Sequence, residues 1–302
     1  MSQLSPKPDW IAVDWGTTSC RAWAMADAGP VLASARSDRG MAALERSGFE
    51  GALCELAGDW MAPGVPVVAC GMVGSRQGWV EAPYVPVPCT PDQFTSVRAT
   101  TKDPTLSVTV IGGIRQDRPA DVMRGEETQI SGFLALHPGF DGVICLPGTH
   151  TKWAQISAGE IVSFRTAMTG EMFDLLSNRS VLRHGLGDGW SEDAFETAIG
   201  DALSRPEALA AKLFTVRAEG LLNGLDPSEA RAHLSGLLIG AELASMRPYW
   251  LGQPIAIVGE EGIARIYAAA LRLQGASPMV AADDEITRAG LACIREKLAE
   301  TA

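Results

Sequence analysis

Trp10-Ile11-Ala12-Val13-Asp14-Trp15-Gly16-Thr17-Thr18, near the start of the chain, decides how the fold is read. Its apolar run is too short for a buried helix and ends in a Gly-Thr turn, so it reads as a buried strand running into a tight turn. Ser19 to Met25 returns as a second strand, and Asp27-Ala28-Gly29-Pro30 marks the next turn. Val31 to Ser37 completes a three-strand meander. Phe49 to Trp60 then has helical spacing, with Leu53, Leu56, Ala57 and Trp60 on one face. Val65 to Cys70 is a fourth strand that enters the loop Gly71 to Trp79. Leu106 to Ile111 is a fifth strand, and Gly125 to Leu136 reads as a helix.

The pattern restarts at Gly142 to Leu146, a strand that runs into Pro147-Gly148-Thr149-His150-Thr151. Lys152 to Ser157 and Ile161 to Arg165 are two further strands, with a turn at Ala158-Gly159-Glu160. A helix-rich region follows from about residue 170 to 246. Ile255 to Val258 is a strand, Glu261 to Leu273 a helix, Pro278 to Ala281 a short apolar segment, and Glu285 to Leu298 a closing helix. Each half opens with the same device: strand, Gly-Thr turn, strand, turn, strand, helix. This internal repeat predicts two similar α/β domains, 1–125 and 126–302, with a Gly-Thr turn on either side of a cleft, two unrelated α/β domains being the alternative.

Composition sets the outer limits. The chain has 302 residues, 46% hydrophobic and 20% charged, a globular balance that suits two domains. No apolar run reaches 18 residues, and Met1 to Pro8 is polar, so neither a membrane span nor a signal peptide is expected. A formal net charge of −11 argues against nucleic-acid binding, which needs a basic surface. A small anion pocket can still be locally positive. The six cysteines are scattered with no CxxC pair, which predicts reduced thiols and a cytoplasmic protein. Oligomeric state is left open, a homo-oligomer included.

The two turns carry the chemistry. Gly16 lets backbone approach a ligand, successive N–H groups form an anion-binding concavity, and the Thr17 and Thr18 hydroxyls add donors. Asp14, at a strand end, can hold hydrated Mg²⁺ together with phosphate oxygens. A plain hairpin turn is the alternative. Gly148, Thr149, His150 and Thr151 are the matching element, with Lys152 as a point charge for phosphate. His150 and Lys152 taken singly read equally well as surface residues. It is the pairing of the two turns that predicts a triphosphate site.

Asp14-x-Gly16-Thr17-Thr18-Ser19-x-Arg21 resembles the first phosphate motif of the actin/hexokinase/sugar-kinase superfamily. Gly148-Thr149-His150-Thr151 resembles its second, and Val258-Gly259-Glu260-Glu261-Gly262 with the helix through Tyr267 and Leu271 resembles its adenosine motif. Glu260-Glu261 departs from that motif, where smaller or neutral residues are expected. Arg288-Ala289-Gly290-Leu291-Ala292 resembles the small-residue helix that crosses between the domains, here 285–300. DWGTTSCRAW, GMVGSRQGW, DVMRGEETQISG, LPGTHTKW, MTGEMFDLLS and LSGLLIGAEL, in this order, are similar to the 2-dehydro-3-deoxygalactonokinase family over most of the chain. The resemblance implies an α/β actin-like ATPase (ribonuclease H-like) fold with duplicated βββαβαβα domains flanking a cleft. It also implies ATP and Mg²⁺ as cofactors, and phosphorylation of the terminal hydroxyl of 2-dehydro-3-deoxy-D-galactonate in galactonate catabolism. Gly16, Thr17, Thr18 and Arg21 are then expected on one side of the nucleotide. Gly148, Thr149, His150, Thr151, Lys152, Gly259 and Gly262 are expected on the other. Domain closure is expected on binding.

Related carbohydrate kinases carry a Gly-Asp pair whose Asp is the general base, and Glu126 occupies that place, with Glu127 as reserve. Both glutamates also suit a helix N-terminus by its dipole. The loop Gly71 to Trp79 follows a strand end, where α/β proteins bind ligands. In it, Arg76 can pair a carboxylate, Ser75 and Gln77 can meet hydroxyls, Trp79 can cover a sugar face, and Gly74 belongs to the same substrate-binding set; a structural loop with Arg76 solvated is the alternative. Thr169, Gly170 and Glu171 are expected to line the same cleft or to cap a helix. Arg115, Arg124 and Arg165 can also pair an anion, though each reads first as a structural residue. Another sugar or sugar-acid kinase, a nucleotide-switched binding protein and a sugar sensor stay open as alternatives.

Overall fold

The computed structural model describes residues 7–27 and 29–300. The polar N-terminal residues 1–6, and Ala28 in the second expected turn, lie outside them. Contacts divide the chain into two compact units. The first takes residues 1–140, 157–163 and 283–302, and the second 141–156 and 164–282. The division after 125 expected from sequence falls after 140, because the helix that starts at Glu126 packs with the first unit.

The first unit opens with strands β1 (Trp10–Trp15), β2 (Cys20–Met25) and β3 (Val31–Ser37), then helix α1 (Phe49–Ala57). Next come β4 (Pro66–Gly71), β5 (Val85–Pro86), β6 (Ser96–Arg98), β7 (Ser107–Ile111), β8 (Ile114–Asp117), β9 (Ala120–Met123) and helix α2 (Glu126–Leu136). The main sheet has the order β3-β2-β1-β4-β7-β6, antiparallel through the meander and parallel at β1–β4 and β4–β7. A small sheet, β5-β8-β9, was not expected.

Alternation along β1 fills two cores, because successive strand residues point to opposite faces. Ile11, Val13 and Trp15 pack with Phe49, Leu53 and Trp60 on one face. Trp10 and Ala12 pack with Trp23, Met25, Leu291 and Ile294 on the other. Burial on both faces is why this strand reads as a continuous apolar run.

The second unit repeats the order. It contains β10 (Gly142–Leu146), β11 (Thr151–Ser157) as far as Ile156 and β12 (Glu160–Ala167) from Phe164 on, followed by helices α3 (Thr169–Arg179), α4 (Glu192–Ser204), α5 (Leu209–Leu222), α6 (Pro227–Ser245) and α7 (Arg247–Trp250). Strand β13 (Ile255–Gly259), helix α8 (Glu261–Arg272) and strand β14 (Met279–Ala282) follow. The sheet order β12-β11-β10-β13-β14 is the order of the first unit's strands β3-β2-β1-β4-β7. The repeat therefore lies in topology, with one difference. Where the second unit has α8 between its fourth and fifth strands, the first has a 3-10 turn at Met72–Gly74 and the irregular segment carrying β5 and β6.

The last helix, α9 (Asp283–Glu300), lies in the first unit against α2, β1 and β4. Its contact with α2 is backbone to backbone. A Cβ at Gly290 would stand 1.9 Å from the carbonyl oxygen of Thr128, and one at Gly132 would stand 1.9 Å from that of Ile286. Among the described residues no helix is long and apolar enough to cross a membrane, and the six cysteines are unpaired.

Gly290→Ala should therefore destabilise the protein by on the order of 3 kcal/mol, since α9 is packed on β1 and β4 and cannot move off α2 without disturbing that packing. Gly51→Ala, on the open face of α1, should not; it should gain up to about 1 kcal/mol from helix propensity. Urea midpoints of the two variants check this.

Candidate active site

In the first unit three chain segments meet at the ends of the central strands. Asp14 pairs with Arg21 across the β1–β2 ladder. Arg21 Nη2 lies 2.5 Å from Asp14 Oδ2, and Nη1 reaches Asp283 and, at 2.5 Å, Asp284 Oδ1 on α9. Gln129 Nε2 on α2 donates to Asp283 Oδ1 at 2.5 Å. Burial pushes the Asp14 carboxyl above its usual range against the opposing pull of Arg21. Arg21, expected at the phosphates, is thus engaged by three carboxylates. The turn itself is held from beneath by backbone: Met41 N donates to Gly16 O and Ala42 N to Thr17 O, both at 2.9 Å. Thr17 and Thr18 are left exposed.

Gly71, at the end of β4, has φ +92°, and Gly125, just before α2, has φ +105°, so both positions favour glycine. A Cβ on Gly125 would stand 3.2 Å from Gly71 Cα, which brings the start of α2 onto the strand end. Glu126 is half-buried, and its Oε2 accepts from Arg124 N at 2.9 Å. Glu127 is buried. Its Oε2 accepts from Gly125 N at 2.7 Å, and Oε1 accepts from the Thr128 hydroxyl at 3.1 Å. Burial, and then the neighbouring Glu126, push its carboxyl up to about 8.

The substrate loop divides sharply. Arg76, expected to take a carboxylate, has an 80% exposed side chain 3.4 Å from Glu81. Gln77 is exposed too. Trp79, expected to cover a sugar, is core: its ring stacks on Phe49 at 6.2 Å and meets Trp15 edge-on at 6.4 Å. Its indole N–H donates to Thr100 O at 3.2 Å. Gly74 and Ser75 are buried.

In the second unit the turn Gly148-Thr149-His150 is exposed, while the next two residues turn inward. Thr151 is buried with its hydroxyl 2.9 Å from Tyr267 OH. Tyr267 donates to Glu242 at 2.7 Å, so the Thr151 proton goes to Tyr267 and Thr151 has none to offer a phosphate. Lys152 is buried, its ammonium donating to His150 O at 2.9 Å. Glu242 on α6 also accepts from the indole N–H of Trp153 at 2.7 Å and from the Thr169 hydroxyl. Burial raises its carboxyl above the usual range, and the three donated bonds oppose that.

Thr169 is thus the first residue of α3 rather than its cap, and its hydroxyl faces the interior. Gly170 carries α3 onto the turn: a Cβ there would stand 2.2 Å from Gly148 O. Glu171 N donates to Thr149 O at 2.9 Å, and Glu171 Oε2 meets His150 Nε2 at 2.5 Å. Glu260, the departure noted in the adenosine motif, caps α8 by accepting from Gly262 N at 3.1 Å and Ile263 N at 3.4 Å. Gly259 ends β13 beside Pro147.

A cavity of about 260 Å³ opens beside this turn. Gly148 and Gly170 stand at one end, and Phe173, Trp190, Ile263 and Ile266 supply apolar wall. Apolar walls with a few polar groups, Thr169, Arg231 and Ser235 among them, suit a nucleoside. Sequence reasoning passed over Glu242. The one signal available was a carboxylate inside the apolar run Leu237-Leu238-Ile239-Gly240-Ala241-Glu242-Leu243.

Two halves of one strand order, each ending its first hairpin in a Gly-Thr turn, define an actin-like ATPase fold of the kind sugar kinases use. The activator of 2-hydroxyisocaproyl-CoA dehydratase from Clostridium difficile, solved with bound ADPNP, shares this fold at a TM-score of 0.56 and 12% identity, covering 97% of this chain and 96% of its own. The sequence profile of the 2-keto-3-deoxy-galactonokinase family matches residues 14–294, and the chain belongs to that family. The 2-dehydro-3-deoxygalactonokinase of Escherichia coli (strain K12) is 38% identical over 294 residues, 96% of this chain and 98% of that protein. A crystal structure assigned as a 2-dehydro-3-deoxygalactonokinase from Sinorhizobium meliloti superposes with a TM-score of 0.87 at 35% identity, covering 95% of this chain and 96% of the other. The chain is therefore a carbohydrate kinase, a class that uses ATP.

The raised Glu127 carboxyl makes stability depend on pH. It titrates near 8 when folded and near 4.5 when unfolded, so the folded state binds the proton more tightly. That advantage is full below pH 4.5 and is lost as pH rises to about 8. Relative to Glu127→Gln, the wild-type protein should lose stability steadily between pH 5 and 8 and hold a constant difference below 4.5. Urea midpoints of both proteins across this range check it; parallel curves would contradict it.

Proposed function

We propose that this protein transfers the γ-phosphoryl group of ATP to the terminal (6-) hydroxyl of 2-dehydro-3-deoxy-D-galactonate, in the cytoplasm, as a step of galactonate catabolism. The observation that carries the reading is the match over nearly the whole of both chains to relatives that bear this activity's name.

Phosphoryl transfer asks a protein chiefly for positioning and charge neutralisation. The turns Gly16-Thr17-Thr18, exposed at both threonines, and Gly148-Thr149-His150, exposed throughout, supply N–H and hydroxyl donors for phosphate oxygens. The nucleoside is assigned to the cavity beside Gly148. Mg²⁺ belongs to this reading as well. No group of three or more metal-ligating side chains exists among the described residues, and the ion typically needs only one or two carboxylates beside phosphate and water. Asp14 fits that modest demand: its Oδ2 faces Arg21, while Oδ1 meets only a weak thiol donor, Cys70, at 3.7 Å. When bound, the ion would screen charge on the phosphates.

Glu126 is assigned as general base. Its half-buried carboxylate stands at the start of α2, next to a Glu127 that keeps its proton to about pH 8. Glu127 is assigned a positioning part, holding the Gly125 turn closed. An ionised carboxylate beside the attacking hydroxyl takes its proton as the O–P bond forms.

A coupled ADP-release assay with Mg-ATP tests the reading against 2-dehydro-3-deoxygalactonate, its gluconate epimer, galactonate, galactose and N-acetylglucosamine. The first should be turned over best; turnover of a neutral sugar alone would discard the sugar-acid reading. Glu126→Gln should lower kcat by about 10³-fold or more while ATP binding persists, and survival within a few-fold would remove Glu126 as base.

A further inference from the structure

Arg124 is a buried cation whose protein partners do not satisfy it. The residue follows β9 and precedes α2 in the chain and is 8% exposed, with no carboxylate in salt-bridge range among the described residues. Nη2 donates to Ala82 O at 2.8 Å, and the guanidinium carbon stands 4.3 Å from the centre of the Tyr84 ring. Nε and Nη1 have no hydrogen-bond partner. Nor does the hydroxyl of Ser75, which is 6% exposed. Ser75 follows Gly74, where a Cβ would stand 2.9 Å from Arg124 Nη1, so the bare Cα of Gly74 sits against the guanidinium.

Leaving buried donors unpaired is costly, and a buried charge more so, unless a ligand completes them. The nearby Glu127 carboxyl does not neutralise the site, because it holds its proton to about pH 8. Arg76 offers a poor alternative, since a largely exposed guanidinium holds an anion weakly in water. We propose that Arg124 and Ser75 form the subsite for the carboxylate of the sugar acid, which accepts hydrogen bonds from the free guanidinium N–H groups and from the Ser75 hydroxyl. Neither group is open to bulk solvent, so a carboxylate that reaches them is desolvated and held more strongly than at a surface. Arg124 also directly precedes Gly125-Glu126, so one short stretch anchors the acid end of the substrate and carries the proposed base.

This inference rests on the sugar-acid kinase reading, and the test separates the two. Arg124→Lys, Ser75→Ala and Arg76→Gln are compared with wild type by steady-state ADP release, varying 2-dehydro-3-deoxygalactonate and ATP in turn. Thermal shift with the sugar acid alone reads binding without turnover. Arg124→Lys should raise KM for the sugar acid about 100-fold and abolish the thermal shift, with KM for ATP unchanged. Ser75→Ala should raise KM for the acid about 10-fold without loss of folding, since it removes a hydroxyl that has no partner. Arg76→Gln should leave both constants within twofold. Wild-type turnover of the sugar acid with Arg124→Lys and Ser75→Ala both within twofold would overturn the subsite alone. No wild-type turnover of any sugar acid would overturn the functional reading and the subsite with it. Should Arg124→Lys fail to fold, Ser75→Ala decides.

Discussion

One buried carboxylate organises the second unit's site. Glu242 collects hydrogen bonds from Trp153 on β11, Thr169 on α3 and Tyr267 on α8, and Tyr267 in turn orders Thr151. The second Gly-Thr turn is therefore fixed from below at Thr151 and from the side at Thr169. Exposed donors on a turn can bind phosphate without reorganising only if the turn is rigid beforehand. Arg21 does the equivalent work in the first unit, where a single cation joins Asp14 on β1 to Asp283 and Asp284 at the start of α9. Both hubs are buried or partly buried polar groups with multiple partners, the condition under which such groups persist.

This division of labour explains which residues can face a nucleotide. Side chains that hold the turns are turned inward and saturated: Thr151, Lys152 and Arg21 all have protein partners. The turn residues that remain exposed, Thr17, Thr18, Thr149 and His150, offer mainly backbone and hydroxyl donors. Phosphate affinity in the proposed mechanism comes from dipoles on a rigid frame more than from lysine or arginine side chains, which is compatible with a net charge of −11.

Much of the fold was legible because its signals are local. The strand-turn-strand units around Gly16 and Gly148 lie within single short windows, and the meanders β3-β2-β1 and β12-β11-β10 follow from them, whereas the parallel neighbours β4 and β13 are set by tertiary structure. The two- to four-residue strands β5, β8 and β9 were not legible, because they are too short to show a period. Site residues divide the same way. Asp14 and Arg21 sit on one hairpin and fall in one motif, Asp14 read for Mg²⁺ and Arg21 for the nucleotide, but their pairing with each other was not foreseen. Glu242 lies 89 and 73 residues from Trp153 and Thr169, so only the tertiary structure brings them together. Trp79 resembled a sugar platform in a loop, and Arg76 a carboxylate clamp. Packing against Phe49 removes the first, and exposure argues against the second.

The central claim is that phosphate is placed on the terminal hydroxyl of a sugar acid. Phosphorus-31 NMR of a reaction with Mg-ATP and 2-dehydro-3-deoxygalactonate tests it most directly. The account predicts one new phosphomonoester resonance, coupled to the two protons on C6, growing as ADP appears. ADP formed with inorganic phosphate alone, or a phosphate coupled to a different carbon's proton, would contradict it.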